Sequence, residues 1–141
     1  MEYDQIIIHT DGGSRGNPGP AAIGVTCDHQ NKNLFEISEY IGETTNNVAE
    51  YTAVIKALQK LQSLKIKPKK VLFVLDSELI VKQLLGKYKI KDSKLKELNT
   101  TVHLLKSDLK GHGTEFLIKH VLREENKLAD KLVNSALDSR N

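Results

Sequence analysis

The chain has 141 residues, 39% of them hydrophobic and 28% charged, with a net charge of +3. That is the size and balance of one globular domain, and it excludes a disordered, collagen-like or disulfide-stapled protein. The one cysteine, Cys27, can form no internal disulfide, which favours a reducing, cytoplasmic compartment. MEYDQIII carries no basic stretch before its apolar run, so no signal peptide is expected. The apolar run VLFVL at 71–75 is far shorter than the ~20 residues that span a bilayer, so no membrane partner is expected either. The positive balance permits a polyanionic partner.

In chain order, Ile6, Ile7 and Ile8 form the centre of a buried strand ending at Thr10 and Asp11. Residues 20–27 and 33–41 read as two further strands, with a polar turn at 28–32. From Asn46 the period changes. Tyr51, Val54, Ile55, Leu58 and Leu61 fall on one helical face, and Pro68 closes the unit. Residues 71–75 are an apolar strand, followed by a short helix with Leu79, Ile80, Leu84 and Leu85, stopped by Gly86. A third helix carries Leu95, Leu98, Val102, Leu105 and Leu109. After a glycine-containing loop at 110–114 comes a fifth strand at 116–121, then a last helix with Leu128, Leu132, Val133 and Ala136 on one side. The expected fold is α/β: one domain over 1–141, with a five-stranded mixed sheet. Its first three strands form an antiparallel meander, and helices cover both faces.

The segment TDGGSRGNPGP, 10–20, is the most unusual in the chain. Its glycine spacing does not satisfy G-x-G-x-x-G, its prolines would break the helix a dinucleotide site must open, and no Walker lysine follows. A tight turn between strands accounts for the glycines and prolines but not for Asp11, a carboxylate ending an apolar strand. Asp76 shares that position at the end of VLFVL, and Glu50 lies in the first turn of the long helix. Capping is an alternative for each: Asp76 or Ser77 can cap the next helix, and Asn47 with Glu50 has capping-box spacing. The expected topology, however, makes the first and fourth strands neighbours. Both then end in Asp at one sheet edge, which the helix bearing Glu50 can approach. Crowded carboxylates raise one another's pKa and call for a cation. A set of hard oxygen ligands without His or Cys suits Mg²⁺ or Mn²⁺. Two such ions ~4 Å apart are the machinery of phosphodiester hydrolysis.

Asp11 within TDGGSRGNPGP, Glu50 within TNNVAEY, Asp76 within LDSELIVKQL and Asp130 within REENKLADKLVNSAL together resemble type 1 ribonuclease H, in order and over nearly the whole chain. The resemblance implies cleavage of the RNA strand of RNA–DNA hybrids, leaving 5′-phosphate and 3′-hydroxyl ends, with two Mg²⁺ or Mn²⁺ ions held by Asp11, Glu50, Asp76 and Asp130. On the helical wheel alone Asp130 is an ordinary first-turn acid, so its assignment rests on the resemblance. Gly12, Gly13, Ser14, Gly16, Asn17, Asn46, Asn47 and Glu78 match positions at or beside the hybrid contacts. Thr45 matches the position that helps hold a phosphate of the DNA strand. Asparagines that both donate and accept suit a 2′-hydroxyl, although Thr45, Asn46 and Asn47 can also cap the helix.

Two departures from the family pattern stand out. The stretch HVLREENKLAD leaves no room for the long loop that carries a histidine in many members. His120 reads as part of the fifth strand. Arg123 is placed to reach the scissile phosphate, with His112 in KGHGT the lesser candidate and a surface arginine the plain alternative. The long basic handle is also absent, only GKYKIKDS standing in its place. Lysines 82, 87, 89, 91, 94 and 96 around Tyr88 form either a phosphate track or a solvated face. The expected protein is a monomeric endoribonuclease on RNA–DNA hybrids. Activity extending to double-stranded RNA, or a non-catalytic hybrid-binding module, are the alternatives.

Overall fold

The computed structural model describes residues 3–140; residues 1, 2 and 141 of the expected domain lie outside the described residues. Strands β1 (Gln5–Ser14), β2 (Gly19–His29) and β3 (Lys32–Thr44) are followed by helix α1 (Asn46–Ser63), strand β4 (Lys70–Leu75), helices α2 (Glu78–Leu84) and α3 (Ser93–Gly111), strand β5 (Glu115–His120) and helix α4 (Lys127–Ser139). A single turn of 3₁₀ helix, Arg123–Glu125, precedes α4. The sheet order is β3-β2-β1-β4-β5. The first three strands are an antiparallel meander, while β4 runs parallel to both β1 and β5. This is the expected α/β fold. No helix among the described residues is long and apolar enough to cross a membrane.

Alternation builds the main core. Ile6 and Ile8 of β1 and Val71, Phe73 and Leu75 of β4 face α1 and α3, packing on Tyr51, Val54, Leu58, Leu61, Val102 and Leu109. Tyr51 is fully buried, and its phenol is satisfied from both sides: it donates to Gln83 Oε1 at 2.9 Å and accepts from Asn99 Nδ2 at 3.2 Å. Those bonds tie α2 and α3 to α1.

Several boundaries differ from the sequence expectation. β1 continues through Gly12, Gly13 and Ser14, because the ladder to β2 pairs them with Ile23, Ala22 and Ala21. The turn that follows is confined to residues 15–18 and contains a cis Asn17–Pro18 bond. β2 and β3 meet at a two-residue turn, 30–31, shorter than expected. The helices do not cover both faces completely. α4 packs a small second core of Val133, Ala136 and Leu137 on Ala22, flanked by Tyr40. Leu117 on the edge strand β5 and Leu128 at the start of α4 are left at 37% and 50% exposure. Of the four apolar residues expected on α2, Ile80 and Leu84 are buried, whereas Leu79 and the C-cap Leu85 are exposed and Val81 and Gln83 are buried with the first two.

Candidate active site

Parallel pairing of β1 with β4 brings Asp11 and Asp76 to the same end of the sheet. Two glycines then let helices close in. A Cβ on Gly12 would collide with the Ala49 carbonyl group and Glu50 N, so only glycine allows the first turn of α1 to lie against β1. A Cβ on Gly24, the β2 partner of Asp11, would strike the Ala129 carbonyl oxygen and stand 2.9 Å from Leu132 Cβ. Gly24 therefore seats α4, and with it Asp130, against the sheet.

Contact with α1 decides the role of Glu50. Thr45, not Asn47, is the N-cap of α1, its Oγ1 accepting from Val48 N at 3.3 Å. Glu50 makes no capping bond. Its Oε1 accepts from Gly12 N at 2.6 Å, and the same N–H also faces Asp11 Oδ1 at 3.0 Å. Ser77 caps α2, accepting from Ile80 N, which frees Asp76 of that task. One carboxylate oxygen from each of Asp11, Glu50 and Asp76 lies within 4.8 Å of the others. Asp130 stands outside that tight group but lines the same cleft, of about 400 Å³.

Such crowding is unfavourable without a counter-charge. Burial, then the neighbouring Asp76, pushes Asp11 from 3.8 up to about 7, with Asp130 adding to the effect. Burial likewise lifts Glu50 well above the ordinary carboxylate range, helped by Asp11 and Asp76. Hydrogen bonding between the two carboxyls lowers Asp11 somewhat and raises Glu50 further. Arg15, which lines the same cleft, makes its ion pair with Asp138 instead, Nη2 to Oδ1 at 2.7 Å. Four carboxylates, two of them buried and none joined by a His or Cys donor, fit a hard divalent cation, which would supply the missing counter-charge.

The other predicted residues divide between two grooves. Gly12, Gly13, Ser14, Asn46, Asn47 and Arg123 line the carboxylate cleft. Ser14 donates its N–H to Asn46 Oδ1 at 2.8 Å, and Asn46 N donates to Asn17 Oδ1 at 3.0 Å. That chain joins the β1–β2 turn to the start of α1. Asn17, Thr45 and Asn47 line a neighbouring groove of about 440 Å³ together with Asp92 and Lys94. Gly16 sits in the turn with φ +106° and lines neither groove.

Glu78 is not brought into the cleft. It is exposed on α2, where the Lys82 ammonium at 3.1 Å lowers its pKa. His112 caps the end of α3 and its ring contacts the Asp108 carbonyl at 2.9 Å. It precedes β5, whose first residue pairs with Lys70 at the start of β4, so it lies at the opposite end of the sheet from Asp76. That position removes it as a partner of the carboxylates. His120 is the last residue of β5, as expected. Arg123 opens the 3₁₀ turn and forms no ion pair among the described residues.

Three polar residues at the site escaped the sequence reading. Arg15 and Asn134 line the cleft, and Asn134 Nδ2 faces Asp130 Oδ2 at 3.4 Å. The spacing of four between Asp130 and Asn134 was a visible signal, being one helical turn. Asn126, buried beneath Asp76, had a weaker one: an asparagine just ahead of a helical run reads only as a cap.

The reverse transcriptase-like family matches residues 9–136. The bifunctional protein Rv2228c of Mycobacterium tuberculosis is 38% identical over 96% of this chain, which spans 36% of that relative's length. The ribonuclease H of Methylococcus capsulatus is 32% identical, the match covering 94% of this chain and 89% of that one. Among solved structures, LC11-RNase H1 in complex with an RNA/DNA hybrid superposes with a TM-score of 0.89 at 47% identity, covering 96% of this chain and 98% of that one. With the sheet order, the carboxylates and these relatives in agreement, the chain belongs to the type 1 ribonuclease H family.

Proposed function

We propose that the chain is a metal-dependent endoribonuclease that hydrolyses the RNA strand of RNA–DNA hybrids, leaving 5′-phosphate and 3′-hydroxyl ends. The observation that carries this reading is the meeting of Asp11, Glu50 and Asp76 within 4.8 Å in a cleft that Asp130 also lines. Two Mg²⁺ or Mn²⁺ ions held there would supply an activated water and charge stabilisation for the leaving 3′-oxygen.

The protein's own part is orientation. Asp11, Glu50, Asp76 and Asp130 would hold the ions, and without them their charge would repel an uncompensated anion from the cleft. Asn46 has its Oδ1 engaged by Ser14, so its NH₂ is left to face a 2′-hydroxyl. Gly13, which also lines the cleft, leaves the RNA strand room to approach without a side chain in the way, while Gly12 serves the packing of α1. Thr45, Asn47 and Lys94 in the adjacent groove suit a phosphate of the DNA strand. Arg123, free of ion pairs among the described residues, can face the scissile phosphate and stabilise charge that develops during reaction. The solved hybrid complex of LC11-RNase H1 supports the same substrate class.

The test is incubation of labelled hybrid, double-stranded RNA, single-stranded RNA and double-stranded DNA with the purified protein, with Mg²⁺, with Mn²⁺ and in excess chelator. Cleavage of the hybrid's RNA strand only when metal is present is expected. Hydrolysis that persists in chelator, or a hybrid left intact with either ion, overturns the reading. Equal cleavage of double-stranded RNA would widen the substrate class.

A further inference from the structure

Asn126 occupies the N-cap position of α4, yet its side chain makes no capping bond. Its Nδ2 donates instead to the Thr10 carbonyl oxygen at 2.9 Å and to Asp76 Oδ2 at 3.2 Å. A carbonyl oxygen can only accept, so the Thr10 contact fixes which end of the amide faces Asp76. The residue is 1% exposed and its Oδ1 is buried without a partner. An unpaired buried acceptor is unfavourable, so this orientation is held by the two donated bonds. The backbone carbonyl of Asn126 accepts from Asp130 N at 3.2 Å. One residue thereby contacts the strand just before Asp11, the carboxylate of Asp76, and the helical turn that carries Asp130.

We propose that Asn126 is a positioning residue of the metal centre. It holds one oxygen of Asp76 in place and locks the first turn of α4 to β1, so that the carboxylates are oriented before an ion arrives. Its chemistry suits the task. A lysine or arginine would cancel charge that the ion needs, and an acid would add a fifth repelling carboxylate. The amide supplies two donors and no charge. Partners that orient a metal-binding carboxylate are typically worth ~10–100-fold in ion affinity.

This inference rests on the metal-dependent reading above, and the experiment separates the two. Mn²⁺ and Mg²⁺ are titrated calorimetrically into hybrid-free, chelator-stripped protein for the parent, Asn126→Ala, Asn126→Ser and Thr114→Val. The last is the control: it removes a buried bond of the same kind, Thr114 Oγ1 to the Pro68 carbonyl at 2.6 Å, at the other end of the sheet. Both Asn126 variants should weaken ion binding by about 10-fold or more, and Thr114→Val should leave it unchanged. In hydrolysis assays the hybrid KM should stay within about 2-fold, and raising Mg²⁺ should recover most of kcat. Ion affinity within about 2-fold of the parent in the Asn126 variants, or an equal loss in Thr114→Val, overturns the proposal. So does failure of both Asn126 variants to fold in chelator, which would make the residue structural. A parent that binds neither ion instead overturns the metal-dependent reading itself.

Discussion

Neutralising Asp11 should stabilise the metal-free protein while abolishing its activity. Asp11 is 8% exposed and is raised from 3.8 to about 7 by burial and by Asp76. At about 1.4 kcal/mol per pH unit, that difference makes the ionised side chain unfavourable by an amount on the order of 4 kcal/mol. Below about pH 3.8 folded and unfolded chains both hold the proton, and there is no cost. As pH rises from there to about 7 the unfolded chain has released its proton and the folded one has not, so stability falls. Above about pH 7 the cost is complete. Asp11→Asn keeps an acceptor for Gly12 N and removes the charge. Urea or thermal unfolding in chelator should therefore show the variant gaining several kcal/mol at about pH 8, roughly 8–15 °C in Tm. The gain should be much smaller at about pH 4.5. Mg²⁺ should raise the Tm of the parent at pH 8 and leave the variant nearly unchanged. A parent equally stable at both pH values in chelator, together with a gain below about 1 kcal/mol in Asp11→Asn, would refute the reasoning.

Three further outcomes are expected. Asp76→Asn should cut turnover at least ~10²-fold with hybrid affinity retained, and hydrolysis within a few-fold of the parent would move the metal site elsewhere. Arg123→Ala should lower kcat more than it raises KM, and Arg123→Lys should recover only part, having lost the planar fork. His112→Ala, at the opposite end of the sheet, should be silent, and the reverse pattern would transfer the role. Replacing Lys87, Lys89 and Lys91, all exposed in the eight-residue connection between α2 and α3, with Gln should make the plot of log K against log salt shallower by at most about three. Turnover at saturating hybrid should hold, and an unchanged slope would identify these lysines as a solvated face.

Apolar periodicity made the strands, the faces of α1 and α3, and the sheet-edge meeting of Asp11 with Asp76 legible in the sequence. What it could not carry was contact made by backbone. Gly12, Gly13 and Ser14 have no apolar pattern, yet the ladder to β2 keeps them in β1. Glu50 had capping spacing, and only the approach of α1 to Gly12 turned it into the site. Leu79, Leu85 and Leu128 completed helical stripes on paper, but among the described residues too little packs over them and they are exposed. Asn126 reaches Thr10, 116 residues away, a partnership that no local pattern announces. Asp130 and the hybrid contacts were legible through the resemblance, since their residue types alone also fit a solvated helix and a cap.

The small second core under α4 gives that helix a footing separate from the main core. Three carboxylates, at 11, 50 and 76, are carried by elements that share the main core, whereas Asp130 comes on a helix held by Val133, Ala136, Leu137 and the seat at Gly24. Helix and core can therefore separate in stability, α4 opening locally while the rest stays closed. In its opened form the chain keeps a sheet, a cleft and three acidic groups, but lacks the fourth acid, Asn126 beneath Asp76, and the docked turn of Arg123. On the proposed function, competence to cut would follow the docking of α4: a chain transiently frayed at that helix would be folded and unable to hydrolyse its substrate at the same time.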